Sequence, residues 1–362
     1  MESPLLTTST ASKRHPLARS LMTMIFATSA LLLACSGGGE PKPTPTPEAT
    51  PTPSGPVELS AGEILEENKT SVVKIDTTTP YGDGGGSGVV WETADRVLTN
   101  AHVVLGAGAI KVIDPADSTR SFPAKVVALS PCDDVALLSV ERATGLMPVK
   151  MGNSDEVQAG DPVIALGFPG TLSAGPNVPV ITEGTVSRTR ATFEHWGYRD
   201  LIQNTAPINP GNSGGPLFNQ YGEVIGLNTF TAIGSQAENY AITSNEAVAL
   251  GGLLKAGKNI DYIGITLEPN NDQLAFDLDL PHVNGLVVTA VDPGSPADNA
   301  SPAPLAFGYE IFLVNDTPVD TIGDFCDIIR SQQSGSTLRI QFGYWGDDGS
   351  AYDDFIYDVV MP

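Results

Sequence analysis

Residues 201–229 decide the fold and read LIQNTAPINPGNSGGPLFNQYGEVIGLNT. The stretch ends in the β-branched run GEVIGL, which is typical of a short β-strand. Before that run lies Ser213, with Gly211 two residues ahead of it and Gly214 directly after it. Glycines at these places let backbone amide groups approach a bound molecule closely, because no side chain stands in the way.

Runs like GEVIGL recur between Ser71 and Ile242, often at roughly ten-residue intervals. They include SVVKI, GVVWE, AKVVAL, DVALLSV and PVIALG, and Gly, Pro, Asn and Asp separate them. This spacing predicts an antiparallel barrel or sandwich, and therefore a mainly β fold. A parallel α/β fold is disfavoured because no amphipathic helix of about ten residues lies between successive strands.

Two helices are predicted at the edges of this β-rich region. Ser60 and Glu63 form a capping box that begins a short helix ending near Thr70. A second helix is predicted over 244–255, and Gly257 ends it. The glycine-rich stretch YGDGGGSGVV, which starts at Tyr81, lacks the lysine followed by a hydroxyl residue that a phosphate-binding loop needs. It is interpreted as the entry to a strand, with close backbone packing or a mobile loop beside a cleft as the two alternatives.

Three short strings carry the side chains that a serine nucleophile needs. They are TNAHVV with His102, DDVALL with Asp134, and GNSGGP with Ser213. A serine hydroxyl becomes nucleophilic when an imidazole accepts its proton, and a carboxylate on the other ring nitrogen orients that imidazole. Asp133 is the alternative to Asp134 for this orienting role. The chain order His, Asp, Ser is that of the chymotrypsin arrangement, in agreement with the β-rich prediction.

The glycines beside Ser213 predict an oxyanion hole. We expect the backbone amides of Gly211 and Ser213 to donate to the substrate oxygen as negative charge develops on it.

The sequence resembles the trypsin-like serine proteases and, among them, the HtrA/DegP family. The three strings, the whole of residues 201–229 and AITSN at 241–245, where the family has AIPSN, carry the resemblance. It implies a chymotrypsin-like double β-barrel and a serine endopeptidase, and it also implies a homotrimer. By the same comparison Pro207 forms the base of the primary substrate pocket and Ile208 its wall, so the pocket is expected to accept Val, Ala or Leu. Substrate backbone is expected to pair with Leu227, Asn228, Thr229 and Phe230.

The segment after Lys258 resembles a single PDZ domain. Tyr262, Ile263, Gly264 and Ile265 match the turn that binds a peptide's terminal carboxylate in that family. A helix is predicted over TIGDFCDIIRS, at 321–331, where one apolar face is formed by Ile322, Phe325, Cys326 and Ile329. The resemblance implies that peptide C-termini bind as an added strand between this helix and the sheet.

The N-terminus carries a targeting signal. Basic residues precede an apolar run from Leu21 to Leu33 that is too short to span a bilayer and is typical of a secretion signal. The tetrad LLAC resembles the lipobox of bacterial lipoproteins, which implies lipidation of Cys35 and a membrane anchor. An ordinary cleaved signal is the alternative. Seven prolines between Glu40 and Pro56 predict a semi-rigid spacer.

These features divide the chain into four predicted parts. A signal peptide occupies 1–34, a Pro/Thr-rich linker 35–57, the protease domain 58–257 and the PDZ domain 258–362.

Composition excludes several other classes of protein. The 362 residues carry a net charge of −23, which opposes binding to nucleic acids and to anionic lipid surfaces. Three cysteines show no metal-binding or redox spacing, so neither a metal nor a cofactor is expected. Cys132 and Cys326 fall in different predicted domains, and free, buried thiols are favoured over a disulfide between them because disulfide geometry is strict.

Together the features predict a lipid-anchored endopeptidase on the extracytoplasmic side of a bacterial membrane, acting on unfolded or damaged envelope proteins. Two alternatives stay open. One is a catalytically silent, peptide-binding chaperone on the same scaffold, and the other is a purely structural surface lipoprotein.

Overall fold

The computed structural model of the protein describes residues 56–79, 82–170, 179–193, 196–231, 237–270, 285–345 and 351–362. The predicted signal peptide, Cys35 and nearly all of the predicted linker lie outside the described residues. None of the helices formed by the described residues is long and apolar enough to span a bilayer.

The first half of the folded region is a closed antiparallel barrel of six strands. Their order around the barrel is β1-β2-β3-β6-β5-β4. Branched apolar side chains such as Val73, Ile75 and Val97 point inward and are fully buried. The strands are β1 (Val72–Thr79), β2 (Gly82–Val90), β3 (Arg96–Thr99), β4 (Ala109–Ile113), β5 (Ser121–Ser130) and β6 (Val135–Val140).

A second closed barrel of six strands follows, in the order β10-β11-β12-β9-β8-β7. Its strands are β7 (Pro162–Gly167), β8 (Val180–Phe193), β9 (Tyr198–Asn204), β10 (Pro216–Asn219), β11 (Val224–Thr231) and β12 (Asn239–Thr243). The mainly β, double-barrel architecture expected from the sequence is confirmed, and the sandwich alternative is wrong, because both sheets close on themselves.

Three helices accompany the barrels: α1 (Ala61–Asn68), α2 (Ala101–Val104) and α3 (Ser244–Leu254). The capping box that predicted α1 is present, since the Ser60 hydroxyl accepts from the Glu63 amide and the Glu63 carboxylate accepts from the Ser60 amide. The helix α3 also begins at the predicted residue, and both helices bury apolar side chains in the cluster between the two barrels. This cluster joins Leu137 of the first barrel to Phe218 of the second, so apolar packing between the barrels holds them together, in addition to the core inside each.

The glycine-rich stretch belongs to a strand over its whole described length rather than only leading into one. Residues 82–89 pair in register with β1. An added Cβ on Gly85 would lie 2.3 Å from the Ile75 carbonyl oxygen, and one on Gly86 would lie 2.9 Å from the Ser213 carbonyl oxygen. Of the alternatives raised by the sequence, close backbone packing is the one observed.

Residues after 258 form a further sheet and a helix, here called the C-terminal module. The sheet order is β13-β14-β15-β17-β18, with β16 paired to β15. The helix α4 (Ile322–Arg330) buries the predicted residues Ile322, Phe325, Cys326 and Ile329. The strands are β13 (Ile265–Pro269), β14 (Leu286–Val291), β15 (Glu310–Val314), β16 (Thr317–Pro318), β17 (Thr337–Trp345) and β18 (Ala351–Val360).

A disulfide joins Cys132 of the first barrel to Cys326 of α4. The expectation of free thiols is therefore wrong. The reason is tertiary: α4 packs against the turn at 131–133 and brings the two Cα atoms to 5.6 Å, a separation that a disulfide can span. Arg330, one turn further along α4, donates to the Asp133 carboxylate at 2.6 Å and to the Cys132 carbonyl at 3.2 Å.

Candidate active site

The three candidate catalytic side chains come from three turns that meet where the two barrels touch. His102 lies on α2, directly after β3 of the first barrel. Asp134 lies between a 3-10 turn (Pro131–Asp133) and β6. Ser213 lies in the turn before β10 of the second barrel, and its carbonyl accepts from the Ser87 amide of β2 at 2.8 Å.

Asp134 is buried and surrounded by donors. Its side chain is 1% exposed. One carboxylate oxygen, Oδ1, accepts from the His102 amide at 3.0 Å, and the other, Oδ2, lies 2.9 Å from His102 Nδ1 and accepts from Thr229 Oγ1 at 2.8 Å. These hydrogen bonds hold the Asp134 carboxylate and the imidazole in one relative orientation.

The backbone at Asp134 is itself unusual. Its φ is +55°, in the left-handed region that aspartate tolerates better than most residues. The Asn100 side-chain amide donates to the Asp134 carbonyl at 3.0 Å and so satisfies a buried acceptor. The turn thereby aims the Asp134 carboxylate at His102. Asp133 points elsewhere, where it accepts from Ser130 Oγ at 2.6 Å and pairs with Arg330.

His102 faces a cavity, and 42% of its side chain is exposed. Desolvation disfavours the charged imidazolium, but the charge and hydrogen bond of Asp134 outweigh it. Together with the more distant charge of Glu268, they raise the pKa of His102 above its ordinary value. Glu268 lies on β13 of the C-terminal module, and desolvation raises the pKa of its carboxyl although the charge of His102 opposes that shift.

Ser213 Oγ donates to the Thr229 carbonyl at 2.9 Å. Among the described residues no hydrogen bond joins this hydroxyl to His102, so the structure brings His102 and Asp134 into contact and leaves Ser213 turned aside. Such hydrogen bonds are often absent before substrate binds. Rotation about the Cα–Cβ bond of Ser213 would turn the hydroxyl away from the Thr229 carbonyl and toward His102.

The turn before Ser213 has a backbone conformation that leaves two amide groups unpaired among the described residues, as an oxyanion hole needs. Gly211 has a φ of +103°, and an added Cβ there would lie 2.5 Å from the Phe168 carbonyl oxygen, so only glycine fits. Within the described residues neither the Gly211 nor the Ser213 amide donates to a protein acceptor. Both donors are therefore available to a ligand.

Ser87 was not predicted from the sequence, and its side chain stabilises this turn through hydrogen bonds. Its hydroxyl donates to the Gly211 carbonyl at 2.7 Å and accepts from the Phe168 amide at 2.9 Å. Ser87 is fully buried. Only a lone serine within the glycine-rich stretch marks it in the sequence.

The predicted substrate-binding residues differ in how exposed they are and in whether their backbone groups are free. Ile208 is buried in the core cluster of the second barrel, whereas Pro207 is exposed. The backbone of Asn228 is already used, because its amide donates to the Gly215 carbonyl and its carbonyl accepts from the Gly214 amide, both at 2.8 Å.

Substrate pairing along Leu227 to Phe230 stays a prediction, and the backbone of Asn228 is a part of this stretch that the fold already uses. Leu227 pairs with Pro216 of β10, which leaves Thr229 as the first residue beyond that pairing. Thr229 also has a role in the site that the sequence did not predict, because its hydroxyl donates to the Asp134 carboxylate.

A cavity of about 210 Å³ lies beside His102. It is lined by His102, Asp134 and Thr229, by aromatic side chains of the second barrel, and by β13. Among the described residues no group of three or more His, Cys, Asp or Glu side chains is arranged to hold a metal ion.

The predicted carboxylate-binding turn, Tyr262 to Ile265, opens β13. Ile263 and Ile265 are buried, and Gly264 has a φ of +86°. Asp292 fastens this turn, because one of its carboxylate oxygens accepts from the Tyr262 hydroxyl at 2.7 Å and the other accepts from the Gly106 amide of the first barrel at 2.8 Å.

Comparisons with known proteins identify a trypsin-like peptidase domain in this chain. Residues 86–227 match the family model of the trypsin-like peptidase domain. A DegP-like periplasmic serine endoprotease of Marinomonas sp. is 37% identical over 220 residues, which cover 59% of this chain and 45% of that protein. Serine protease HhoA of Synechocystis sp. is 34% identical over 272 residues, which cover 71% of this chain and 66% of the relative.

A solved structure of the HtrA-type protease AlgW with a tripeptide is 27% identical, with a TM-score of 0.51, and the match covers 83% of this chain and 96% of that one. The chain thus spans from 45% to 66% of the length of these two curated relatives.

Proposed function

We propose that this chain, which carries a trypsin-like peptidase domain related to those of the HtrA/DegP serine endoproteases, is itself a serine endopeptidase. The observation that carries the proposal is the contact between His102 and the buried carboxylate of Asp134, beside a turn in which Ser213 follows Gly211.

In the proposed mechanism His102 is the general base. Its Nδ1–H donates to Asp134, which leaves the other ring nitrogen free to accept the Ser213 proton. The hydroxyl oxygen attacks the peptide carbonyl, and the oxyanion accepts from the amides of Gly211 and Ser213. His102 then gives the proton to the leaving amine, and a water molecule hydrolyses the acyl-enzyme by the same steps in reverse. Loss of one oxyanion donor costs about 3 kcal/mol of transition-state stabilisation.

The proposed primary pocket, at Pro207 and Ile208, takes a small apolar residue. No carboxylate stands at these two positions to pair with a substrate Arg or Lys. A peptide-library digest tests this preference, and cleavage chiefly after Arg would contradict it.

The proposed substrates are unfolded polypeptides outside the cytoplasm. The AlgW structure was solved with a bound tripeptide, and the Marinomonas relative is named periplasmic. We propose a PDZ-like role for the C-terminal module, with the turn Tyr262–Ile265 binding peptide C-termini, and a lipid anchor at Cys35. Metabolic labelling with a clickable fatty acid, compared between the native chain and Cys35→Ala, tests the anchor. The trimer stays a prediction that sedimentation velocity checks.

Casein degradation by the purified chain, compared with its Ser213→Ala variant, tests the proposed activity. We expect turnover by the native protein alone. Binding of unfolded casein without turnover by either protein would favour the silent chaperone. Neither binding nor turnover would favour a structural lipoprotein.

A further inference from the structure

The cavity beside His102 has walls from two parts of the chain. Trp196 and Phe230 of the second barrel form one side, and Leu267 and Glu268 of β13 form another. Its volume of about 210 Å³ suits a single side chain, since pockets for drug-sized ligands begin at about 300 Å³.

The β13 wall is fixed rather than hinged. The disulfide and the ion pair of Arg330 fasten α4 to the turn that carries Asp134. The Gly106 amide donates to Asp292, which also accepts from the Tyr262 hydroxyl and so holds the turn that begins β13. The residues of β13 are therefore a constant part of the surface that a substrate meets.

Glu268 brings to this cavity a negative charge that, among the described lining residues, only His102 opposes when it is protonated. None of the described residues that line the cavity is a lysine or an arginine. Asp134, the other carboxylate in the lining, is already satisfied by His102 and Thr229. Glu268 is exposed, and no hydrogen bond to its carboxylate is found among the described residues. The remaining lining is mostly apolar, so the cavity matches a long apolar stem that ends in a positive charge.

An extended substrate presents successive side chains to opposite sides. If the residue before the cleaved bond (P1) points toward Ile208, the residue before it (P2) points toward His102 and this cavity. We propose that Glu268 makes the P2 subsite selective for lysine or arginine, so that a specificity determinant of the cleft belongs to the C-terminal module. This inference rests on the proposed endopeptidase activity.

Three internally quenched peptides test the proposal. They share valine at P1 and differ at P2, which is lysine, norleucine or glutamate. The native chain is expected to cleave the lysine peptide about fivefold faster than the norleucine peptide, as measured by kcat/KM, because the new ion pair is solvent-exposed. Glu268→Gln is expected to remove that ratio, and Glu268→Lys to favour glutamate. Asp358→Asn, which removes an exposed acid from β18 at the opposite edge of the same sheet from β13, is the matched control and keeps the native ratio.

Equal cleavage of the lysine and norleucine peptides by the native chain would overturn the inference, as would an unchanged ratio in Glu268→Gln. All rates are compared at a pH well above the pKa of His102, so that removing the charge of Glu268 does not change the fraction of free base. A uniform gain on all three peptides in that variant at this pH would also overturn the inference, because Glu268 would then obstruct the cleft rather than select its substrate. If the native chain cleaves no peptide at all, the proposed activity itself fails, and that outcome differs from cleavage without discrimination.

Discussion

Removing the disulfide between Cys132 and Cys326 is expected to destabilise the folded unit. The two cysteines are 194 residues apart in sequence, and closing a loop of that length lowers the entropy of the unfolded chain by an amount worth about 5 kcal/mol at 25 °C. Measured effects usually fall below this limit, so we expect the Cys132→Ala/Cys326→Ala variant to lose about 2 to 4 kcal/mol.

Scanning calorimetry of the native and double-variant chains measures the effect. A loss of this size lowers Tm by about 3 to 6 °C, because the entropy of unfolding of about 300 folded residues is about 0.6 kcal/mol/K. Native protein unfolded in guanidinium with dithiothreitol and refolded under reducing conditions is the control, and it should melt like the double variant. Both sulfurs are buried, so dithiothreitol without denaturant should leave the melting curve unchanged. A double variant that melts within about 1 °C of the oxidised native chain, a margin well below the shift just given, would show that the disulfide does not stabilise the fold.

Three further predictions concern the Thr229 hydrogen bond, the pH dependence of activity and the packing of Gly85. Thr229→Val removes one donor from Asp134 and should lower kcat/KM about tenfold, whereas Thr229→Ser should restore it. Because its carboxylate partners raise the pKa of His102, kcat/KM should rise with pH through a midpoint above about 6.5. Glu268→Gln removes one of those charges and should move the midpoint to lower pH, and a pH–rate profile without that shift would contradict the assignment. Gly85→Ala should cost about 1 to 3 kcal/mol in urea unfolding, because its Cβ would lie 2.3 Å from a backbone oxygen, whereas Gly62→Ala in α1 meets nothing within 4 Å and should be neutral or stabilising.

Local patterns predicted the local structure well. The capping box at Ser60 and Glu63 depends on residues three apart, and the apolar face of α4 repeats at helical spacing, so neighbours in sequence carry the whole signal. Barrel closure also follows from short strands with tight turns, although the sequence pattern alone left a sandwich open.

Long-range packing is what the sequence did not reveal. The disulfide depends on α4 docking against the turn before Asp134, and no local pattern encodes that contact. The position of Glu268 in the cavity wall also results from long-range packing, which no local pattern encodes. Ser87 stabilises the nucleophile turn from 124 residues away, a separation at which one serine leaves no recognisable pattern.

In the proposed mechanism His102 and Asp134 activate Ser213 as a nucleophile. Intact-mass spectrometry after treatment with a fluorophosphonate probe measures this directly. We expect one adduct per native chain, located at Ser213 by peptide mapping, and no adduct in His102→Ala at the same probe concentration. Equal labelling of His102→Ala, or an adduct on another residue of the native chain, would contradict it.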